Sequence, residues 1–150
     1  MNKSEFIARE VWNQGWRDED YFVRVGMMGD AWESVCSTTQ INPLETPLSN
    51  RHIKTLAWML EPANTNINKW RTCNVSIGGR LCPPPDEIED LMRRWQNNLS
   101  SMTPLEAYKE FEYIHPFVDG NGRVGKIIYN VLMGTMDNPT FPHVPEWGEG

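Results

Sequence analysis

Apolar residues recur at spacings of three and four along most of this chain, and the breaks in that rhythm divide it into helices. Phe6, Ile7, Val11 and Trp12 mark an amphipathic helix over about 3 to 14. Tyr21, Phe22, Val25, Met28, Trp32 and Val35 mark a second over about 18 to 36, weakened by Gly26 and Gly29. Thr46 before Pro47 predicts a third helix start, with Ile53, Leu56, Ala57 and Leu60 as its apolar stripe and Pro62 as its stop. Residues 61 to 70 read as loop. Near residue 75 the period falls to two: Val75 and Ile77 alternate with polar neighbours ahead of Gly78-Gly79, the pattern of a short hairpin. Helices return over about 85 to 99 and 104 to 114, the latter opened by Thr103 with Glu106 three residues on, a capping box. A last helix covers about 122 to 133. From Thr135 onward Pro139, Pro142 and Pro145 forbid a helix, so this tail either wraps against the body or frays.

Between the last two helices lies His115-Pro116-Phe117-Val118-Asp119-Gly120-Asn121-Gly122-Arg123-Val124-Gly125-Lys126. It sets a base, a carboxylate, a glycine turn and two cations close together. A Gly-Asn-Gly turn feeding a helix aims free backbone N–H groups along the positive end of the helix dipole, where anionic oxygens bind. Gly120 and Gly122 let a ligand approach the backbone, and Asn121 can take positive φ while offering an amide donor. Taken alone, Asp119-Gly120-Asn121-Gly122 reads equally as an ordinary reverse turn. The flanking His115, Arg123 and Lys126 change that, because Arg123 and Lys126 share a helix face and suit a polyphosphate chain. Phe117 reads as a core plug that aims His115. Pro116 biases His115 toward extended backbone and ends the preceding helix.

This segment resembles the signature of the Fic family, His-x-Phe-x-(Asp/Glu)-Gly-Asn-Gly-Arg-x-x-(Arg/Lys), with every defining position filled. The similarity extends upstream through Lys69 to Gly79, Pro83-Pro84-Pro85 and Tyr113-Ile114, and covers residues 44 to 134. The resemblance implies a mainly α fold, a Fic-type helical bundle with a short β-hairpin flap over the active site. Residues 1–134 would form one domain and 135–150 a Pro-rich tail.

It further implies an enzyme, a protein adenylyltransferase moving AMP from ATP with Mg²⁺ onto a hydroxyl side chain of a target protein. His115 and Arg123 would be catalytic, with His115 as general base, a role worth about 10² to 10⁴ in rate. Asp119 would ligate Mg²⁺, while Gly120, Asn121, Gly122, Arg123 and Lys126 would bind the nucleotide. The flap, Asn74, Val75, Ser76, Ile77, Gly78 and Gly79, would pair main chain to main chain with the target. Lys126 stands where many members carry arginine, and a lysine cannot grip bidentately. The Doc-like kinase branch carries alanine and lysine where Gly120 and Gly122 stand here, so two glycines favour nucleotidyl transfer. A noncatalytic nucleotide-binding module is the other alternative.

Many relatives restrain themselves with (Ser/Thr)-x-x-x-Glu-(Gly/Asn), whose glutamate occupies the last cation of the signature. No Ser or Thr here has a Glu four residues later, and Glu149-Gly150 lacks the hydroxyl residue, Pro145 standing in its place. Three options follow: an antitoxin-like partner chain supplies the glutamate in trans, the enzyme is constitutively active, or control lies in expression.

Composition narrows the picture. With 14 basic and 20 acidic residues the net charge is −6, which argues against nucleic acid as a partner. No long apolar run or signal-peptide pattern appears, so the expectation is no membrane and a cytoplasmic setting, the cell's own or a host's. Cys36, Cys73 and Cys82 match no metal-ligand spacing and read as thiols, with Cys82 set opposite Val75 in the hairpin. His52 and His143 read as surface or packing residues. Trp12, Trp32, Trp58 and Trp95 read as packing, and Trp16 and Trp147 as interface candidates.

Overall fold

Among the described residues six α-helices and one hairpin follow each other in chain order, as the periodicity predicts. The computed structural model describes residues 1–41, 48–62 and 69–143. The helices are α1 (Lys3–Asn13), α2 (Asp18–Ile41), α3 (Asn50–Leu60), α4 (Ile88–Asn98), α5 (Pro104–Ile114) and α6 (Asn121–Met133), with 3-10 turns at Pro85–Glu87 and Leu99–Ser101 flanking α4. The hairpin pairs β1 (Ser76–Ile77) with β2 (Arg80–Leu81), antiparallel, Ser76 opposite Leu81 and Ile77 opposite Arg80.

The ends of the helices show why they begin where they do. Thr103 accepts from the Glu106 N–H while the Glu106 carboxylate accepts from the Thr103 N–H, so the capping box is complete, and Pro104 takes the first helical position. The expected helix start at Thr46 falls outside the described residues; α3 begins at Asn50 behind a Ser49 cap. Helix α2 runs through Gly26 and Gly29 and past residue 36 to Ile41, because its buried stripe of Met28, Ala31, Trp32 and Val35 outweighs the propensity cost of two glycines.

One core joins α1, α2, α3, α4, α5 and α6 through Phe6, Trp32, Ile53, Leu60, Met92, Phe111 and Ile127. Its centre lies against α5 and α6, which pack on each other, and α6 also meets α3. Trp32 and Trp95 are buried as expected, and Trp95 donates to the Ala107 carbonyl at 3.0 Å. Trp12 and Trp58 are exposed instead, because they fall on the outer faces of α1 and α3. Residues 135–143 wrap rather than fray: Phe141 stacks on Phe6 at 4.3 Å, and the Asn130 side chain bonds the backbone of Thr140. Among the described residues no helix is long and apolar enough to cross a membrane.

Thr103→Ala removes the side-chain half of the capping box and is expected to lower stability by about 1 kcal/mol. Urea unfolding with an unchanged m-value checks it.

Candidate functional site

Helix α5 stops at Ile114 because Pro116 cannot donate the N–H that would continue it. His115 is not extended, contrary to the expectation drawn from Pro116. It takes the left-handed conformation, φ 51° and ψ 64°, with its N–H on the Phe111 carbonyl at 2.9 Å. A left-handed cap ends the helix in one residue and also avoids the right-handed region that a following proline disfavours. For a side chain other than glycine this costs about 1–3 kcal/mol, so the surroundings must hold it.

The imidazole is half-buried, and its Nδ1 lies within the protein without a hydrogen-bond partner. Burial pushes its pKa down to about 4, helped by the nearby Arg71 and Arg80 guanidiniums. The Glu112 main chain pulls the other way, but burial is the largest effect and governs. The ring is therefore neutral at pH 7 and able to take a proton.

Beyond His115 the loop is closed by Asn121. Its amide accepts from the Phe117 N–H at 2.9 Å and donates to the Phe117 carbonyl at 2.8 Å. Asn121 is buried and helical, so it neither takes positive φ nor presents its amide to a ligand. Positive φ falls on Gly120 instead, at 86°, where a side chain would be strained. Phe117 is buried against Trp70, their ring centroids 5.5 Å apart, the plug its position suggested. Asp119 is exposed, and among the described residues no side chain caps the start of α6, which leaves its first-turn N–H groups for another partner.

The two cations of the segment are not free. Arg123 is only 3 % exposed and donates to Glu61 at 2.8 Å and to the Leu60 carbonyl at 3.4 Å. Glu61 also receives a two-pronged grip from Arg24, at 2.8 and 3.1 Å. Burial pushes the Glu61 carboxyl up, but the bonds from Arg24 and Arg123 outweigh it and hold the group below its usual range. Lys126 reaches Glu10 of α1 at 3.3 Å, and Glu10 is 1 % exposed. Burial alone would lower the Lys126 pKa; Glu10, Tyr108 and Glu112 raise it above the usual value. Gln14 donates to Glu10 at 2.8 Å and lies over Gly122, where an added Cβ would stand 2.7 Å from its Nε2. Glu112 completes the cluster, one oxygen buried and unpartnered, and burial pushes its pKa up to about 7.

Glu10 and Glu61 are the residues that sequence reasoning missed, and both left a signal. Glu10 lies four residues after Phe6 and three after Ile7, on the apolar stripe of α1, where an acid needs a buried cation. Glu61 follows the C-terminus of α3, the end of a helix that repels carboxylates.

The hairpin stands beside the end of α5. Arg80 of β2 stacks on Tyr113 at 4.9 Å. Arg71, at the hairpin's stem, is buried and donates to the carbonyls of His115, Ile114, Cys73 and Pro83. Cys82 lies opposite Val75 as expected, its N–H on the Val75 carbonyl at 3.0 Å, and the three cysteines are free thiols. No three His, Cys, Asp or Glu side chains converge as a metal site among the described residues. His52 is held by Ser49 and His143 is exposed.

A helical bundle whose α5–α6 junction carries this histidine and glycine turn, with a hairpin tied beside it, has the architecture of Fic proteins. Two solved structures share the fold at 20 % identity. A Fic family protein from Desulfovibrio desulfuricans has a TM-score of 0.65, with 87 % of this chain and 45 % of that one covered. A Fic domain containing signaling protein from Bacteroides thetaiotaomicron has a TM-score of 0.58, with 79 % and 50 % covered. The chain belongs to the Fic/DOC family, whose model matches residues 47–133. Among curated proteins it is 35 % identical over 74 residues to the protein adenylyltransferase Fic of Drosophila virilis and 36 % identical to that of Drosophila sechellia. Each match covers 43 % of this chain, which spans 15 % of the length of those relatives.

Two variants test the buried charges. Glu61→Ala leaves the buried Arg123 guanidinium without its carboxylate, while Arg24 keeps Asp20 at 3.7 Å, and is expected to cost about 3–5 kcal/mol in denaturant unfolding. Glu112 holds its proton longer in the folded chain than in the unfolded one, so its contribution falls as pH rises from 4.5 to about 7. Glu112→Gln should therefore gain on the wild type in melting temperature as pH is raised through that interval, and the two should converge near pH 4.

Proposed function

We propose that this chain is a protein nucleotidyltransferase that moves AMP from ATP onto a hydroxyl side chain of a target protein. The observation that carries the reading is the placement of His115: a neutral imidazole at the abrupt end of α5, one short loop before the uncapped start of α6. The names of the curated relatives add the class of reaction. In this reading the target oxygen attacks the α-phosphorus, the bond to the bridging oxygen breaks, pyrophosphate leaves, and His115 takes the hydroxyl proton. The first-turn N–H groups from Asn121 to Arg123 receive phosphate oxygens.

Asp119 would hold Mg²⁺, which when bound would offset phosphate charge. One exposed carboxylate fits an ion that arrives with the nucleotide, since Mg²⁺ commonly takes one or two carboxylates and fills its shell with phosphate and water. Arg123, committed to Glu61, would add fixed positive charge beneath Gly120, its Nη2 3.8 Å from where a Cβ there would stand. Lys126 serves a terminal phosphate only if Glu10 yields it. A partner glutamate arriving in trans would face the same occupied cation, which weighs against an antitoxin-like chain and toward a restraint already present in α1. The strands of the flap are exposed throughout, as a docking edge for an extended target needs. The cytoplasm, the cell's own or a host's, is the compartment we propose, with no nucleic acid as partner.

The test is incubation with Mg²⁺ and a cell lysate, using ATP labelled on either the α- or the γ-phosphate. Protein bands carrying only the α-label, lost by about 10²-fold or more in His115→Ala, are the expected result. γ-Label in protein would indicate a Doc-like kinase, and nucleotide binding without transfer a noncatalytic module. The acid limb of kcat/KM should follow a group titrating well below 6.5, because the base form of His115 persists to about pH 4.

A further inference from the structure

The hairpin is too small to place itself. Its strands are two residues each and exposed, and an isolated pair of strands is marginal in water. If a target lies along it, something else must fix the distance from that target to the imidazole. The strained backbone of His115 likewise needs support from outside its own loop.

Arg71 meets both needs. Its Nε donates to the His115 carbonyl at 2.6 Å, and its Nη2 donates to the Ile114 carbonyl at 3.1 Å and to the Pro83 carbonyl at 2.6 Å. Nη1 donates to the Cys73 carbonyl at 2.9 Å, and the Arg71 main-chain N–H donates to the Pro116 carbonyl at 2.8 Å. Cys73 and Pro83 are the two ends of the hairpin segment; Ile114, His115 and Pro116 are the end of α5 and the turn after it. One planar group thus ties both ends of the hairpin to the residue that carries the base.

The chemistry is unusual for a charge that serves stability alone. Arg71 is buried, and among the described residues it has no carboxylate partner. Burial lowers its pKa, so its charge is met by carbonyl dipoles, including the negative end of α5. Only a guanidinium, with five N–H donors in a rigid fork, can serve four carbonyls in fixed directions; a lysine has three donors on one atom.

We infer that Arg71 is a positioning residue, a strut that locks the hairpin and His115 into one unit and thereby sets where a docked hydroxyl stands relative to the imidazole. The second half of this statement rests on the transfer reading above; the first does not.

Arg71→Lys keeps the charge and loses the fork. In hydrogen–deuterium exchange, residues 73–83 and 114–118 should both exchange about tenfold faster or more in this variant, with α1 and α2 unchanged. In target labelling, kcat should fall about tenfold or more while the KM for ATP stays within about twofold, because nucleotide contacts lie on the other side of the loop, at α6. Unchanged exchange in either segment, exchange raised throughout the chain, or kcat within twofold of wild type would overturn the inference. If the variant does not fold, the wild type decides: the Arg71, Cys82 and His115 amides should open with a common free energy in native-state exchange. A Cys82 amide opening independently of the other two would refute the lock. A wild type that transfers nothing sinks the transfer reading, and with it the docking half of the strut, while exchange still decides the lock.

Discussion

The side-chain amide of Asn121 closes a ring onto the N–H and the carbonyl of Phe117, and the geometry of everything around it follows from that closure. Both main-chain groups of Phe117 are buried, where an unmade bond costs about 1–3 kcal/mol, so an isosteric apolar residue could not replace the amide. With the loop held at that point, Phe117 sits on Trp70, Gly120 takes the positive φ that starts α6, and His115 is left to end α5 in a single left-handed step. Helices α5 and α6 then pack along each other with the loop at one end.

Three cations surround this junction, two met by carboxylates and one by carbonyls. Arg123 shares the Glu61 carboxylate with Arg24, Lys126 takes Glu10, and Arg71 takes carbonyls. The first joins α6 to the end of α3 and to α2, the second joins α6 to α1, and the third joins α5 to the hairpin. The elements farthest from the loop in sequence are therefore linked to it by charge as well as by apolar packing. This also leaves His115 among positive neighbours, Arg71 and Arg80, which together with burial keep its ring neutral at physiological pH.

Most of the fold was legible because it is local. The capping box at Thr103, the amphipathic stripes and the Gly78-Gly79 turn act over four residues or fewer, and α5, α6 and the hairpin lie where these signals put them. Where a local signal was weakened, a tertiary term supported it: burial of Met28 and Trp32 carried the expected α2 through its two glycines. The exposed Trp12 and Trp58 show the converse limit, since a 3.6 period tells which residues share a face but not which face the core covers.

By itself the sequence determined the family, the helical class and the segment from His115 to Lys126, since these depend on residue type and short spacing. The tertiary structure alone decided which charges meet. Glu61 and Arg123 are 62 residues apart, Glu10 and Lys126 are 116 apart, and Arg71 and His115 are 44 apart. A carboxylate on an apolar stripe signals that some cation must be near, but the choice among cations is made by helix packing, which no local pattern encodes. The same holds for His115: proline restricts its backbone, and the bond to its carbonyl from Arg71, a residue in another segment, accompanies the left-handed form it adopts.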